Sequence, residues 1–183
     1  MQDAGVDVRA LRNALGHYTT GVTIVTTLTP EGEHTGVTVN SFTSVSLEPP
    51  LVLFCLSTRS SLRAAFEQAG HFVVNVLAKG QQALSNQFAK PSCNKWEGVK
   101  FHCGSHGCAV MTGAIGIFEC ANHAVYPAGD HLIVVGEVLR FETAATTVPL
   151  AFYGGSYGTF TRDQSGVTAA PDGSLADFVS YWG

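Results

Sequence analysis

The sequence predicts a mainly β fold with a few helices, in which the strands close into an antiparallel barrel. Short stretches rich in Val, Ile and Thr recur along the chain, and turn residues separate them. Hydrophobic residues make up 45% of the 183 residues and charged residues only 13%, which supplies a core and argues against disorder. Closing the sheet removes open strand edges that would otherwise pair with other chains.

Eight extended segments support the β prediction. The apolar run 51–56 indicates a buried strand, and it follows the strand-breaking pair Pro49-Pro50. A turn with Pro and Gly at 29–33 joins the first two segments into a hairpin, and 126–129 separates two longer strands. The predicted strands cover 22–28, 35–40, 41–46, 51–56, 71–77, 115–124, 131–141 and 150–160.

The first predicted helix covers 7–18. Its residues Val8, Leu11, Leu15 and Tyr18 recur at spacings of three and four, so their side chains share one face. The other segments predicted outside the strands are the helices 60–70 and 81–89 and a loop rich in Cys, His and Gly at 90–109.

Charge and composition exclude several classes of function. The formal net charge is −4 and the ten Lys and Arg residues are scattered, so no basic stripe is available for nucleic-acid phosphates. No apolar stretch approaches the roughly 20 residues that span a bilayer, and the N-terminus lacks the apolar region of a signal peptide. With neither feature present, the odd number of five cysteines indicates reduced thiols and a cytoplasmic protein.

Two common nucleotide-binding motifs are absent from the sequence. It contains no G-x-G-x-x-G between a strand and a helix, and no G-x-x-x-x-G-K-[ST]. Neither a doubly wound dinucleotide fold nor a phosphate loop is therefore expected. A nucleotide cofactor would need a different scaffold and local donors to hold it.

The segment 36–52 places small hydroxyl and amide side chains among apolar residues. Such groups, next to free backbone N–H groups, donate to the carbonyls and ring nitrogens of a planar heterocycle without steric bulk. A Ser- and Thr-rich strand and loop with nothing bound explains the same composition. The residues concerned are Thr38, Asn40, Ser41, Thr43, Ser44 and Ser46.

Residues 55–62 join the end of a predicted strand to the start of a predicted helix. A helix start offers unpaired N–H groups and a positive dipole end, which suit a phosphate, and Arg59 adds charge. An ordinary helix capped by a serine gives the same pattern. The hydroxyl residues here are Ser57, Thr58, Ser60 and Ser61.

Asp130 and His131 stand at the start of the predicted strand 131–141. A histidine at this position can present its ring to a ligand that lies across the barrel mouth. A turn residue that hydrogen-bonds its neighbour is the more common role for a single histidine.

These segments, taken in order, resemble the flavin reductase family of the FMN-binding split-barrel fold. The resemblance covers about residues 9–160, and it predicts one domain over 1–162 followed by an irregular tail over 163–183. The chain departs from many relatives at Gly107-Cys108-Ala109, where they have Gly-x-Pro. The matching pieces are LRNALGHYTTGVTIVTT, NSFTSVSLEPPLV, FVVNVL, LSNQFA, AGDHLIVVGEV and PLAFYGGSYGTF.

The resemblance implies a Greek-key antiparallel split β-barrel that forms a homodimer and binds FMN or FAD in a groove at the dimer interface. It also implies NADH or NADPH as hydride donor, and a flavin-dependent monooxygenase as the partner that receives reduced flavin. His131 is the catalytic candidate, expected to orient the nicotinamide and not to act as an obligatory acid. The implied cofactor-binding residues are Thr38, Val39, Asn40, Ser41, Ser44, Val45, Ser46, Cys55, Leu56, Ser57, Ser60, Ser61, Phe88, His131 and Tyr157.

Two alternatives stay open at this point. A flavin-binding protein without turnover, for storage or sensing, uses the same fold. A zinc site is the other, because His102, Cys103, His106 and Cys108 place four metal-binding side chains within seven positions, with Cys93 nearby. Adjacent residues such as His102 and Cys103 rarely reach one ion, so the prediction is that no metal is bound.

Overall fold

The computed structural model describes residues 5–91, 94–144 and 148–161, so the predicted tail lies outside the described residues. Within these ranges the helices are α1 (Val8–Leu15), α2 (Arg63–Gln68) and α3 (Gln82–Ala89), with a 3₁₀ helix at Lys79–Gln81. The strands are β1 (Thr20–Gly21), β2 (Thr23–Leu28), β3 (His34–Val39), β4 (Thr43–Leu47), β5 (Pro50–Ser57), β6 (His71–Val76), β7 (Phe101–Cys103), β8 (Ala109–Met111), β9 (Gly116–Ala128), β10 (His131–Thr143), β11 (Leu150–Tyr153) and β12 (Ser156–Thr159).

Seven strands form one antiparallel sheet in the order β3-β2-β6-β9-β10-β5-β4. β3 and β4 lie at opposite ends of this order, although only residues 40–42 connect them. Because an extended chain advances at most about 3.6 Å per residue, the two ends of the sheet lie within about 14 Å of each other. The sheet therefore curls into a barrel, and β3 contacts β5 although these two strands are not paired. The predicted antiparallel barrel architecture is confirmed, with an unpaired seam between β3 and β5.

Alternate side chains of the strands fill the barrel. Along β5, Val52, Phe54 and Leu56 are buried and the residues between them are partly exposed, which is the period-two pattern of a half-buried strand. Phe54 packs edge-on against Phe66 of α2 and Phe72 of β6, with ring centroids 5.4 Å apart in each pair. Large aromatic side chains each bury on the order of 150–250 Å², so this trio stabilises the centre of the barrel.

The long hairpin of β9 and β10 extends further than the sequence predicts. The strands were expected at 115–124 and 131–141, but each has 13 residues and only Gly129-Asp130 separates them. Gly129 has a φ of +62°, as the first position of a type II′ hairpin turn requires. This tight turn fixes His131 at the first position of β10, where it lies opposite Ser57 of β5.

Two predicted segments are wrong in their internal structure. The loop expected over 90–109 contains β7 and the start of β8, because strands of three residues are too short to show a period in the sequence. The single strand expected over 150–160 is a hairpin of β11 and β12. It turns at Gly154-Gly155, where both residues have positive φ.

The helix predicted over 60–70 begins later, at Arg63. The three residues before it form a turn in which Ser60 Oγ accepts the N–H of Leu62 at 3.2 Å. A serine that satisfies backbone N–H groups in a turn competes with helix formation, which explains the later start.

The first helix is confirmed over a shorter range and begins at a side-chain cap. Asp7 Oδ1 accepts the N–H groups of Arg9 and Ala10 at 2.8 and 3.3 Å. The predicted apolar face is exposed, with relative exposures of 67% for Val8 and 65% for Leu15. None of the helices in the described segments has the length and apolar character needed to cross a lipid bilayer.

Gly136 of β10 provides a test of the core packing. A Cβ atom there would overlap the ring of Phe72 and lie 2.9 Å from Cys120 Cβ. We expect Gly136→Ala to lower the free energy of unfolding by about 1–3 kcal/mol, because overpacking forces neighbouring side chains from their rotamers. Urea denaturation checks this. Gly158→Ala is the control, since no atom of the described residues lies within 4 Å of a Cβ at that position. An equal loss of stability in both variants would contradict the role of packing at Gly136.

Candidate functional site

A cleft of about 350 Å³ lies at the seam where the end of β5 meets β3. Its volume falls within the roughly 300–1,000 Å³ that is typical of small-molecule sites. Nine of its ten lining residues belong to the predicted cofactor-binding set, and Val37 is the addition. The lining residues are Val37, Thr38, Val39, Asn40, Ser41, Cys55, Leu56, Ser57, Ser60 and His131.

The backbone of β3 faces this cleft along a free edge. In the described sheet β3 pairs with β2 alone. The Val39 carbonyl points toward β2, since it accepts the hydroxyl of Thr23 at 3.2 Å, and the Gly36 carbonyl accepts Lys95 Nζ at 3.2 Å. Backbone groups alternate in direction along a strand, so the N–H and C=O of Thr38 point away from β2. The cleft therefore has a backbone donor and acceptor side by side.

Ser41 holds the end of β5 in place of a strand neighbour. β4 pairs with β5 only as far as Thr43 and Leu53. Two residues further on, Ser41 Oγ accepts the N–H of Cys55 at 2.9 Å and donates to the Cys55 carbonyl at 3.3 Å. One hydroxyl thus replaces both ladder bonds at the position where β5 enters the cleft.

Ser41 uses its hydroxyl hydrogen to donate to Cys55, whereas Ser57 and Ser60 only accept in their hydrogen bonds. Ser57 Oγ accepts the N–H of Arg59 at 3.3 Å, and Ser60 Oγ accepts that of Leu62 at 3.2 Å. A hydroxyl that accepts in one bond can still donate its own hydrogen in another. These two serines can therefore donate to an anionic or carbonyl group in the cleft.

His131 is half-buried at the rim of the cleft, and Asp130 fixes its ring. Nδ1 of the imidazole lies 2.7 Å from Asp130 Oδ1. This hydrogen bond holds the pKa of the Asp130 carboxyl below its usual value, so the group is ionised near neutral pH and can only accept. Nδ1 therefore carries the hydrogen, and Nε2 is the nitrogen left to contact a ligand.

The turn that carries Asp130 is itself anchored to β5. Thr58 donates its N–H and its hydroxyl to the Asp130 carbonyl, at 2.9 and 3.0 Å. Sequence analysis did not single out this role of Thr58. Its only sequence signal is its position directly after the strand that pairs with the start of β10.

The other predicted cofactor-binding residues lie outside the lining of this cleft. Ser44 and Val45 are exposed on β4, beside the partly exposed Ser46. Phe88 is fully buried under β3, where its ring packs against Trp96 at a centroid distance of 5.0 Å.

Ser61 and Tyr157 also lie away from the cleft lining. Ser61 lines a neighbouring cavity of about 460 Å³, together with Lys95 and Trp96. Tyr157 contacts α3 and is considered below. A role for these residues in binding the cofactor stays a prediction.

The residues of the alternative zinc site have separate partners. Cys103 Sγ lies 3.9 Å from His34 Nε2, and the His106 ring stacks on His71 at 3.7 Å. Burial raises the pKa of the Cys108 thiol, which disfavours the thiolate that a metal needs. The described residues contain no group of three or more metal-binding side chains, and Cys93 lies outside them.

The sequence model of one protein family, the flavin reductase like domain, matches residues 15–161. The chain belongs to this family. The FMN reductase (NADH) of Agrobacterium fabrum is 46% identical over 158 residues, which cover 86% of this chain and 89% of that protein. The reductase subunit of a flavin-dependent monooxygenase from Rhodococcus jostii is 37% identical over 87% of this chain and 82% of its own length.

A solved flavin reductase has a closely similar fold. The structure of the Streptomyces globisporus NADH:FAD oxidoreductase with NAD and FAD fragments has a TM-score of 0.82 at 36% identity, covering 86% of this chain and 95% of that one. Some other curated relatives are longer, and the chain spans 54% of their length. The family and the split-barrel fold predicted from the sequence are confirmed.

Removing the Ser41 hydroxyl tests its structural role in this flavin reductase fold. We expect Ser41→Ala to lower the free energy of unfolding by about 1–2 kcal/mol, because the partly buried N–H and C=O of Cys55 lose their partner. Chemical denaturation measures the change. Ser44→Ala removes an exposed hydroxyl from the same segment and is expected to leave stability unchanged. Equal stability of the two variants would show that Ser41 does not hold β5.

Proposed function

We propose that this chain is an NADH-dependent flavin reductase that reduces FMN or FAD and supplies the product to a partner monooxygenase. The observation that carries the proposal is the seam cleft, where the free backbone edge of β3 and the oriented ring of His131 face one cavity. The relatives support the chemistry, since they include an FMN reductase that uses NADH and an NADH:FAD oxidoreductase.

The cleft fits the parts of a flavin. The N–H and C=O of Thr38 suit the alternating donors and acceptors of its pyrimidine ring, and Asn40 adds an amide that can do either. Ser57 and Ser60 can donate hydrogen bonds to the phosphate. Such local donors are needed because the chain has a net charge of −4 and does not attract anions as a whole. Leu56 is buried beneath the cleft and supplies an apolar floor.

A bound flavin supplies the hydride acceptor, and the nicotinamide supplies the hydride. The contribution of this chain is to hold the two rings together, which avoids the cost of bringing them together from solution. His131 lines the cleft, and its Nε2, which does not bond Asp130, can hydrogen-bond the nicotinamide carboxamide. Asp130 fixes the ring orientation of His131, so this contact needs no rearrangement during the reaction.

The monooxygenase partner belongs to this proposal because reduced flavin must leave the cleft to be used elsewhere. The cleft is an open groove at the barrel surface, which allows a flavin to enter and leave. A reductase subunit of a flavin-dependent monooxygenase is among the relatives. A cytoplasmic location completes the proposal, and the free thiols of the four described cysteines fit it.

His131→Ala tests the function and the role of the histidine together. We expect the unmodified protein to quench FMN fluorescence and to oxidise NADH when FMN or FAD is added. The variant should bind flavin with unchanged affinity, but its kcat/KM for NADH should fall about fivefold, because it loses one hydrogen bond to the neutral carboxamide. Steady-state kinetics and fluorescence titration measure both.

His123→Ala is the matched control, since His123 is exposed on β9 and outside the cleft. Loss of flavin binding in His131→Ala would contradict the orienting role. Flavin binding without NADH oxidation in the unmodified protein would instead favour a storage or sensor protein.

A homodimer is the second part of the proposal, and the exposed face of α1 supports it. Leu11 and Leu15 of α1 have relative exposures of 46% and 65%, and Tyr18, just after the helix, has 78%. Apolar residues on one helix face usually pack against another surface. A second copy of the chain would bury this face and explain the low fraction of charged residues.

Leu15→Glu tests the dimer. A buried carboxylate in the interface is costly, so we expect the mass in sedimentation equilibrium to fall from two 19.3 kDa chains to one. Asn13→Glu adds the same charge to another face of α1 and should leave the dimer intact. A monomeric parent protein, or a dimer unaffected by Leu15→Glu, would refute this interface.

A further inference from the structure

Helix α3 packs tightly on the wall of the cleft that β3 forms. A Cβ atom on Gly36 would lie 3.1 Å from Phe88 Cε1, so the absence of a side chain lets this ring approach the strand. Lys95 Nζ joins the same two elements, donating to the carbonyls of Gly36 and Phe88 at 3.2 and 3.0 Å. The C-terminal end of α3 is thereby fixed to the start of β3.

A third contact reaches the cleft itself. Thr38 lines the cleft, and its hydroxyl donates to the carbonyl of Ser85 on α3 at 2.7 Å. The hydroxyl hydrogen of Thr38 is therefore bound to the helix. Because β3 pairs with one strand only in the described part of the chain, the position of Thr38 depends on α3 as well as on β2.

Ser85 is fully buried, and its side chain connects α3 to the β11–β12 hairpin. Ser85 Oγ lies 2.9 Å from the hydroxyl of Tyr157, which in turn donates to Asn86 Oδ1 at 3.0 Å. Tyr157 has one hydroxyl hydrogen and gives it to Asn86, so Ser85 is the donor to Tyr157. The bonds form one chain from the hairpin through the helix to the cleft.

The hydroxyl pair of Ser85 and Tyr157 lies within an otherwise apolar contact. Tyr157 packs edge-on against Phe152, at a centroid distance of 5.5 Å, and both border the apolar cluster that holds Phe88 and Leu150. Apolar packing tolerates small sliding movements, whereas hydrogen bonds in a buried setting are directional and strong. The polar pair therefore fixes the position of α3 along β3 more closely than packing alone would.

We propose that Ser85 and Tyr157 are positioning residues of the flavin site, which act on the cofactor through Thr38. They set the position of the free β3 edge, and with it the backbone donor and acceptor that Thr38 presents. The inference rests on the proposed function, because it concerns the wall of the same cleft. It assigns Tyr157 a role through α3 in place of direct contact with a cofactor.

Tyr157→Phe and Ser85→Ala each remove the hydrogen bond between these two side chains with little change in volume. We expect the dissociation constant for FMN, measured by fluorescence quenching, to rise about fivefold in each, the factor of one average hydrogen bond. The double variant should match the single variants, because all three lose the same chain. The KM for NADH at saturating flavin should stay unchanged. Alanine favours helix, so Ser85→Ala is expected to fold even if Tyr157→Phe is less stable.

Controls separate positioning from general destabilisation. Tyr153→Phe removes a hydroxyl from the same hairpin, one that lies 3.1 Å from His17, and should leave flavin affinity unchanged. Thr38→Val removes the hydroxyl that bonds Ser85 and should weaken FMN binding as Tyr157→Phe and Ser85→Ala do. Thr38→Ser keeps a hydroxyl and should bind FMN like the unmodified protein. Additive effects, or a raised KM for NADH with unchanged FMN affinity in Tyr157→Phe, would overturn the proposal. If the parent protein binds no flavin, both the proposed function and this inference fail, whereas intact binding in all variants removes only the inference.

Discussion

The barrel closes where β3, at one end of the seven-stranded sheet, contacts β5 without pairing to it, next to β4 at the other end. An unpaired strand edge is a liability in a protein, because its N–H and C=O groups need partners. In this chain the edge borders a cleft of about 350 Å³, so a ligand can supply those partners. The seam that leaves the barrel incomplete is thus the same feature that makes it a binding site.

The elements around the seam compensate for the missing strand pairing. Ser41 completes the hydrogen bonds of β5 at Cys55, and α3 supports β3 through Thr38 and Gly36. The tight turn at Gly129-Asp130 brings His131 to the opposite rim. The hydroxyls of Ser41 and Thr38 each bond to backbone atoms, so a few side chains hold the backbone that shapes the cleft.

Local sequence patterns predicted the fold wherever the pattern itself reflects burial. The apolar run 51–56 is of this kind and predicted β5, although the burial of alternate residues along it was found only in the structure. A turn before β10 was predicted too, but it is shorter than the expected 126–129, and the cleft contains most of the residues named from the family resemblance. The seam was not predicted, because pairing between distant strands leaves no local pattern. β7 and β8 were missed because strands of three residues are too short to show a pattern. The role of Ser85 was missed because a serine on the buried face of a short helix has no distinctive spacing.

Amide hydrogen exchange at Thr38, followed by NMR with and without FMN, tests the account most directly. A flavin that pairs with the free edge of β3 should slow exchange of the Thr38 amide strongly, while amides of the paired strands β7 and β8 exchange as before. If FMN binds and the Thr38 amide exchanges at the same rate as in the free protein, the flavin does not use this edge, and the seam is not its site.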